Sequence, residues 1–369
     1  MKNEWRRGFS MVELVAVIAV AVSVGAVLGP SVGRMRSQMR GVTSEGNLHA
    51  IGQGAGMYGL DNDDRIFTFS WQPGVEYLNI RNGKMISADN DLDTGALQAR
   101  DILFRSTGRL DGVSRIIVSQ GRVVQRRYSH LVLADYLGVG VESSMWSDPA
   151  DQQLLGWQGD PLAYLNRPET IPYGAGYPGV DGYDMSVGWD HIGVRMMWAF
   201  GSSYHVVPHA YLDDERITYR PNANTPHLFI PENPNEEDKL SEREFSEVSK
   251  PSAKVFMYEE FDRELEHDTY FAYDHAQPAK LMFDGSINTM QSGQSRGAID
   301  PWRWSAHVHG ALGFKTIFED QWMQSYLPLD LFPEPLSGVG EGIRLNMRYQ
   351  WTAGGLQGRD YNPLLSGSP

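Results

Sequence analysis

Cysteine is missing from all 369 residues. With it go disulfides, thiolate nucleophiles, cysteine-ligated zinc and iron–sulfur clusters. The compartment stays open, because a chain of this size needs no covalent staples to fold outside the cytoplasm. Basic side chains are scarce: 32 Lys and Arg stand against 46 Asp and Glu, a formal charge of −14. Such a surface repels phosphate backbones and argues against a nucleic-acid partner. Walker and dinucleotide fingerprints are missing as well. Hydrophobic residues at 41% and charged residues at 21% are globular values, which excludes wholesale disorder. A mean hydropathy of −0.38 excludes a polytopic membrane protein.

Long apolar runs are confined to one place. Residues 11–28, MVELVAVIAVAVSVGAVL, carry Glu13 as their only charge. As a helix the run is ~27 Å long, about the hydrocarbon thickness of a bilayer. Lys2, Arg6 and Arg7 precede it against Glu4 alone, so the positive-inside rule keeps the N-terminus cytoplasmic; Arg34, Arg36 and Arg40 pull the other way. Ala19-Val20-Ala21 could be read as a signal-peptidase site, but the apolar run continues past it and a carboxylate is foreign to an h-region. Glu13 is costly: a charge at the centre of a membrane helix loses roughly 2.5–3.5 kcal/mol. Gly25, Gly29 and Gly33 recur every fourth residue, a spacing that lets helices approach closely in lipid. Pro30 predicts a bend.

The stretch Arg7-Gly8-Phe9-Ser10-Met11-Val12-Glu13-Leu14 resembles the prepilin signature of type IV pilins and type II secretion pseudopilins. The resemblance implies a leader at 1–8, cut between Gly8 and Phe9 by a membrane-embedded prepilin peptidase that also N-methylates Phe9. It implies that Glu13 meets the terminal ammonium of a neighbouring subunit, and that Pro30 is the family's helix-bending proline. The implied partners are that peptidase, other pseudopilin subunits and the inner-membrane platform of a secretion or pilus machine. The implied location is the bacterial inner membrane, single-pass, with the C-terminal domain periplasmic or assembled into a filament.

Past Pro30 the helical pattern becomes more polar. Leu48, Ile51, Ala55 and Tyr58 form a stripe suited to packing on a sheet, while Gly41, Gly46, Gly52, Gly54 and Gly56 predict breaks. The helix should end near Gly59, in a segment (47–66) that looks like the helix-end pattern of large pseudopilin-like proteins. Strand-like composition marks 65–71, 114–119, 196–200, 203–207 and 253–259; 280–290 reads as a hairpin with a two-residue turn at Asp284-Gly285. Residues 231–250 read as a solvated insertion. From Pro301 onwards no clear pattern emerges.

LADYLG (133–138), WSDPAD (146–151), SSY (202–204), PSAKVFMYE (251–259) and finally His275 with Asp284-Gly285 resemble, in this order, a pseudopilin-like family with a large C-terminal domain and an H-x9-DG motif. Eight residues, not nine, separate His275 from Asp284. Asp148 stands where that family often has cysteine, so no redox role carries over.

Glu259, Glu260, His267, Asp268, Asp274, His275 and Asp284 are dense in carboxylates and imidazoles, yet their spacing reproduces no zinc pattern. Turn chemistry accounts for Asp284-Gly285, and a loop-closing bond for His275. Residues 89–95 are similar to the start of an EF-hand loop, but the glycine falls one place late and Arg100 takes the place of the bidentate glutamate. Ca²⁺ stays open, since some pseudopilins hold it in a loop; no other cofactor is expected. Gly293-Gln294-Ser295-Arg296-Gly297 fits the GxSxG pattern, but Pro301 and two tryptophans follow where the elbow needs a helix. The expectation is therefore a non-enzymatic α+β chain of pilin-like build. A long N-terminal helix (9–60, membrane part about 9–30) packs on an antiparallel sheet with large loop insertions in a globular domain (61–369). The expected role is a structural pseudopilin; the alternative is a membrane-anchored envelope-binding protein, for example glycan-binding, that uses the leader for export.

Overall fold

The computed structural model describes residues 11–79, 82–108, 125–159, 200–212, 219–222, 225–231, 240, 242–263, 269–271, 273–296, 322–324, 343–345, 348–352 and 354–361. Helix α1, Met11–Asp61, runs unbroken for 51 residues, through Pro30 and through every glycine expected to interrupt it. Tertiary contact explains why the glycines do not break it. A Cβ on Gly52 would stand 2.8 Å from Leu281 Cδ1, one on Gly54 2.9 Å from Leu137 Cδ1, and one on Gly59 2.9 Å from Phe245 Cδ2. These positions let a sheet, a helix and a loop approach the helix backbone, whereas Gly46 and Gly56 meet nothing. The helix ends two residues beyond Gly59; the Asp64 N–H bonds the Gly59 carbonyl at 2.8 Å, and Asp63 and Asp64 both take positive φ. Among the described residues no helix is long and apolar enough to cross a membrane; most side chains of the 11–28 run lie outside that description.

The chain after α1 is richer in helix than the expectation of strands and loops. A hairpin of β1 (Tyr77–Asn79) and β2 (Lys84–Ile86) leads to α2 (Asp91–Thr107), then α3 (Gln125–Tyr128), α4 (His130–Leu137) and α5 (Gln152–Gly159). The segment read as similar to an EF-hand starts α2 instead: the Asn90 side chain accepts from Asp93 N at 2.8 Å, and Asp91 and Asp93 sit in the first turn, where the helix dipole favours them. Arg105 forks onto Asp135 at 2.5 and 2.9 Å and ties α2 to α4. Residues 65–71 are not a ladder strand. Arg65 forms one bridge to Glu244, Phe67 and Phe69 are buried, and the Ser70 and Trp71 N–H groups donate to Gln98 Oε1 at 2.6 and 2.9 Å.

The central sheet is antiparallel. It takes β3 (Tyr204–Val206), β6 (Val255–Glu259), β9 (Lys280–Met282) and β10 (Ile287–Asn288) in the order β10-β9-β6-β3. Among the described residues three further two-stranded pairs occur: β4 (Tyr219–Asn222) with β5 (Thr225–Pro231), β7 (Phe261–Asp262) with β8 (Thr269–Tyr270), and β11 (Trp322–Gln324) with β12 (Ile343–Leu345). The β9–β10 loop is one residue longer than expected. Met282 pairs with Ser286 across Phe283, Asp284 and Gly285, and Gly285 at φ 84° supplies the left-handed residue of a three-residue hairpin. The expected insertion at 231–250 is only partly solvated: Leu240 and Val248 are buried, and Phe245 meets Phe256 and Phe283 edge-on. The expected strand at 114–119 and all but Phe200 of the one at 196–200 lie outside the described residues; Phe200 is a buried turn residue.

Cross-strand register gives the sheet two distinct faces. Tyr204, Glu259 and Leu281 face α1. Tyr258 and Lys280, paired across β6 and β9, face an aromatic cover of Phe271, Tyr349 and Tyr361. That cover belongs partly to the C-terminal region, which sequence pattern left unassigned. It is fastened to the start of β6 by Asp360, whose Oδ2 accepts from Val255 N at 2.8 Å and lies 3.3 Å from Lys254 Nζ.

Candidate functional site

Among the described side chains of α1, Ser44 is the first that is buried; those before it are exposed or half-buried. The helix therefore enters the globular part at Ser44, and a polar node forms there. Ser44 Oγ donates to Glu259 Oε1 and lies 2.9 Å from Tyr204 Oη. One turn on, Asn47 Nδ2 donates to the Ser147 carbonyl at 3.1 Å, the Ser144 carbonyl at 3.3 Å and Tyr204 Oη at 3.3 Å. The other Glu259 oxygen accepts from Ala279 N at 2.8 Å.

A charged layer backs this node. Arg263 places Nη2 3.0 Å from Asp151 Oδ2 and Nη1 3.5 Å from Asp148 Oδ2. Asp151 also accepts from Ser203 Oγ at 2.9 Å and from Leu154 N at 3.0 Å, where it starts α5. Ser202 Oγ donates to the Trp146 carbonyl at 2.7 Å. Burial, with the Asp148 charge adding to it, pushes the Glu259 carboxyl up to about 8. Burial next to Glu259 likewise holds the Tyr204 hydroxyl well above its ordinary range. On the other face of the sheet, Lys280 Nζ donates to the Pro278 and Met290 carbonyls at 2.6 and 2.8 Å, and burial lowers its ammonium to about 7.

Three of the sequence pieces singled out above, at 146–151, 202–204 and 251–259, converge on this node, and Leu133 and Leu137 of the 133–138 piece pack against Gly54 nearby. The His275–Asp284-Gly285 motif does not join them. His275 and Asp284 are both exposed and flank β9 on either side. Asp284 Oδ1 accepts from Ser286 N and Oγ at 3.0 and 2.6 Å, the side-chain lock of the hairpin turn, while the His275 ring lies 5.8 Å from that of Tyr273. No group of three or more His, Asp or Glu residues able to hold a metal occurs among the described residues, and His267 and Asp268 lie outside them. Ser295 Oγ donates to the Ser292 carbonyl at 2.6 Å and follows a 3₁₀ turn, which is not the strand–turn–helix of a nucleophile elbow.

Gly8 and Phe9 lie outside the described residues; Glu13 and Pro30 are on the α1 backbone, but their side chains are not described. Sequence reasoning missed Ser44, Asn47, Arg263 and Lys280, and singled out Asp151 only as the end of the 146–151 piece. A signal existed for Ser44, because the stripe Leu48, Ile51, Ala55, Tyr58 extended one turn backwards lands on a serine, a polar group on a burying face. The groups of the node are mutually hydrogen-bonded, buried except for half-buried Asn47, and drawn from five chain segments, an arrangement that holds elements together. No family model, curated protein or solved structure matches the chain.

Proposed function

We propose that the chain is a structural subunit of a filament of the type II secretion or type IV pilus kind, processed after Gly8 and N-methylated at Phe9. The observation that carries this reading is the division of labour along one helix. α1 is continuous from Met11 to Asp61. Its N-terminal part exposes Met11, Val15, Val17 and Ile18, and its C-terminal part, from Ser44, is built into a sheet-bearing domain. A pilin-like subunit needs both: an apolar arm for membrane and neighbouring subunits, and a rigid head that moves with it. In this reading Glu13 neutralises the ammonium of Phe9 on an adjacent copy, Pro30 lies within the membrane arm, and the Ser44–Glu259 node transmits the arm's position to the head. The prepilin peptidase and the inner-membrane platform are the implied partners, and the acidic composition supports a role without nucleic acid.

Mass spectrometry of the N-terminal peptide from cells with active prepilin peptidase tests the reading. The expected species starts at Phe9 and is heavier by one methyl group. An intact Met1 terminus in those cells, or a cut near Ala21, would overturn it.

A further inference from the structure

We propose that the Ser44–Glu259 contact is a proton-operated latch: with the Glu259 carboxyl protonated, the exit turn of α1 is held on the sheet, and loss of that proton releases it. This deepens the reading of the node as the joint between helix and head, and rests on that reading but not on filament membership. The groups facing Glu259 come from every element packed against it. α1 brings Ser44 and Asn47, neither charged; β3 brings the Tyr204 hydroxyl; the 146–151 segment brings Asp148 and, behind it, Asp151. The residue after β7, Arg263, extends its guanidinium to the two aspartates, and β9 supplies the Ala279 amide before it and Lys280 on the opposite face.

With the carboxyl neutral the node closes as a chain of donors. The bond in which Ser44 Oγ donates to the carboxylate then reverses: the carboxyl proton is given to Ser44 Oγ, the Ser44 hydrogen serves Tyr204 Oη, and the Tyr204 hydrogen points to the Ser147 carbonyl 3.3 Å away. Ionised, Glu259 becomes a third buried carboxylate beside Asp148 and Asp151, with the guanidinium already directed at those two. Opening the turn to water is then the way to hydrate the charge. The sign follows. The closed state keeps the proton up to about pH 8, the opened state loses it near the ordinary 4.5, so closure is strongest at low pH and is lost as pH rises through that window.

Hydrogen exchange of the intact chain in detergent micelles reads this directly in the peptide covering residues 39–48. After correction for intrinsic exchange, its protection should fall roughly tenfold per pH unit between pH 6 and 8 and level off above. Peptides of β6 and β9 should hold their protection over the same range. Glu259→Gln, which keeps a donor towards Ser44 and carries no charge, should flatten the profile at the high-protection end. Should that variant fail to fold, Asp148→Asn serves: it should move the levelling-off point to lower pH. A flat profile in the parent chain, an unchanged profile in Asp148→Asn, or parallel loss in the β6 and β9 peptides would overturn the latch. Ser44→Ala separates the two ideas. If it costs no protection at any pH, the node is not the joint; if it costs protection while the parent profile is flat, the joint stands and the proton control falls.

Discussion

Replacing Gly52 by alanine sets two effects against each other. In an exposed helix interior the change stabilises by about 1 kcal/mol, because glycine loses more backbone entropy on folding. At Gly52 the new Cβ would lie 2.8 Å from Leu281 Cδ1 and 3.3 Å from Cδ2, well inside ordinary contact. Leu281 is fully buried, so it yields only by displacing its own neighbours. Overpacking of that kind costs about 1–3 kcal/mol, which turns the gain into a net loss of roughly 0–2 kcal/mol. Gly46 and Gly56 lie on the same helix with nothing within 4 Å, and alanine there should give the full gain of about 1 kcal/mol. Denaturant unfolding of the full chain in detergent measures all three at constant m-value. The sign should reverse between position 52 and positions 46 and 56, and Leu281→Ala should restore part of the loss in the Gly52→Ala background, a coupling of about 0.5–3 kcal/mol. Equal stabilisation at all three positions would refute the close seating of α1 on β9.

Arg263→Ala should destabilise by about 3–5 kcal/mol, since it strips the guanidinium from buried Asp148 and Asp151; denaturant unfolding with Asp151→Asn in the same chain should show partial rescue. Lys280 has its ammonium lowered to about 7 from 10.5, so the folded chain binds fewer protons than the unfolded one between those values and stability from this group rises with pH across them, by up to about 1.4 kcal/mol per unit. Glu259 acts in the opposite sense between 4.5 and about 8, so unfolding free energy measured against pH should pass through a minimum near pH 7–8, and Lys280→Met should remove its alkaline limb. Glu13→Val should insert and be processed after Gly8 normally yet fail to crosslink into multimers in the membrane; ladders equal to the parent's would show that the carboxylate does not guide assembly.

The long helix and all four central strands are legible, because burial on one face writes itself into the spacing of Leu48, Ile51, Ala55 and Tyr58 and into the runs at 203–207 and 253–259, and the Asp284-Gly285 turn marks the hairpin at 280–290. The glycines of α1 misled for a physical reason. Propensity describes an isolated helix, while Gly52, Gly54 and Gly59 are selected by what presses on them. α4 escaped because it is only 8 residues long, and α2, though 17 residues long, because the asparagine that caps it sits in an acidic run that invites a calcium reading. The node was half visible: its aspartates, serines and glutamate lie in segments that stood out, but their convergence on Ser44 depends on contacts more than a hundred residues apart in sequence. Arg263 and Lys280 carry no local pattern at all, since a buried cation is defined by its neighbours.

Strand β6 holds a particular mechanical position. The helix takes hold of it at Glu259, its last residue, and the C-terminal region takes hold at Val255, its first, through Asp360. Tension between the arm and the C-terminal cover therefore runs along the strand axis. Pulled that way, the hydrogen bonds to β3 and β9 are sheared together; a pull across the strand would unzip them one at a time. The sheet is placed to resist such a pull, and the apolar seat of α1 on Leu281 and Leu137 shares the load with the polar contact at Ser44.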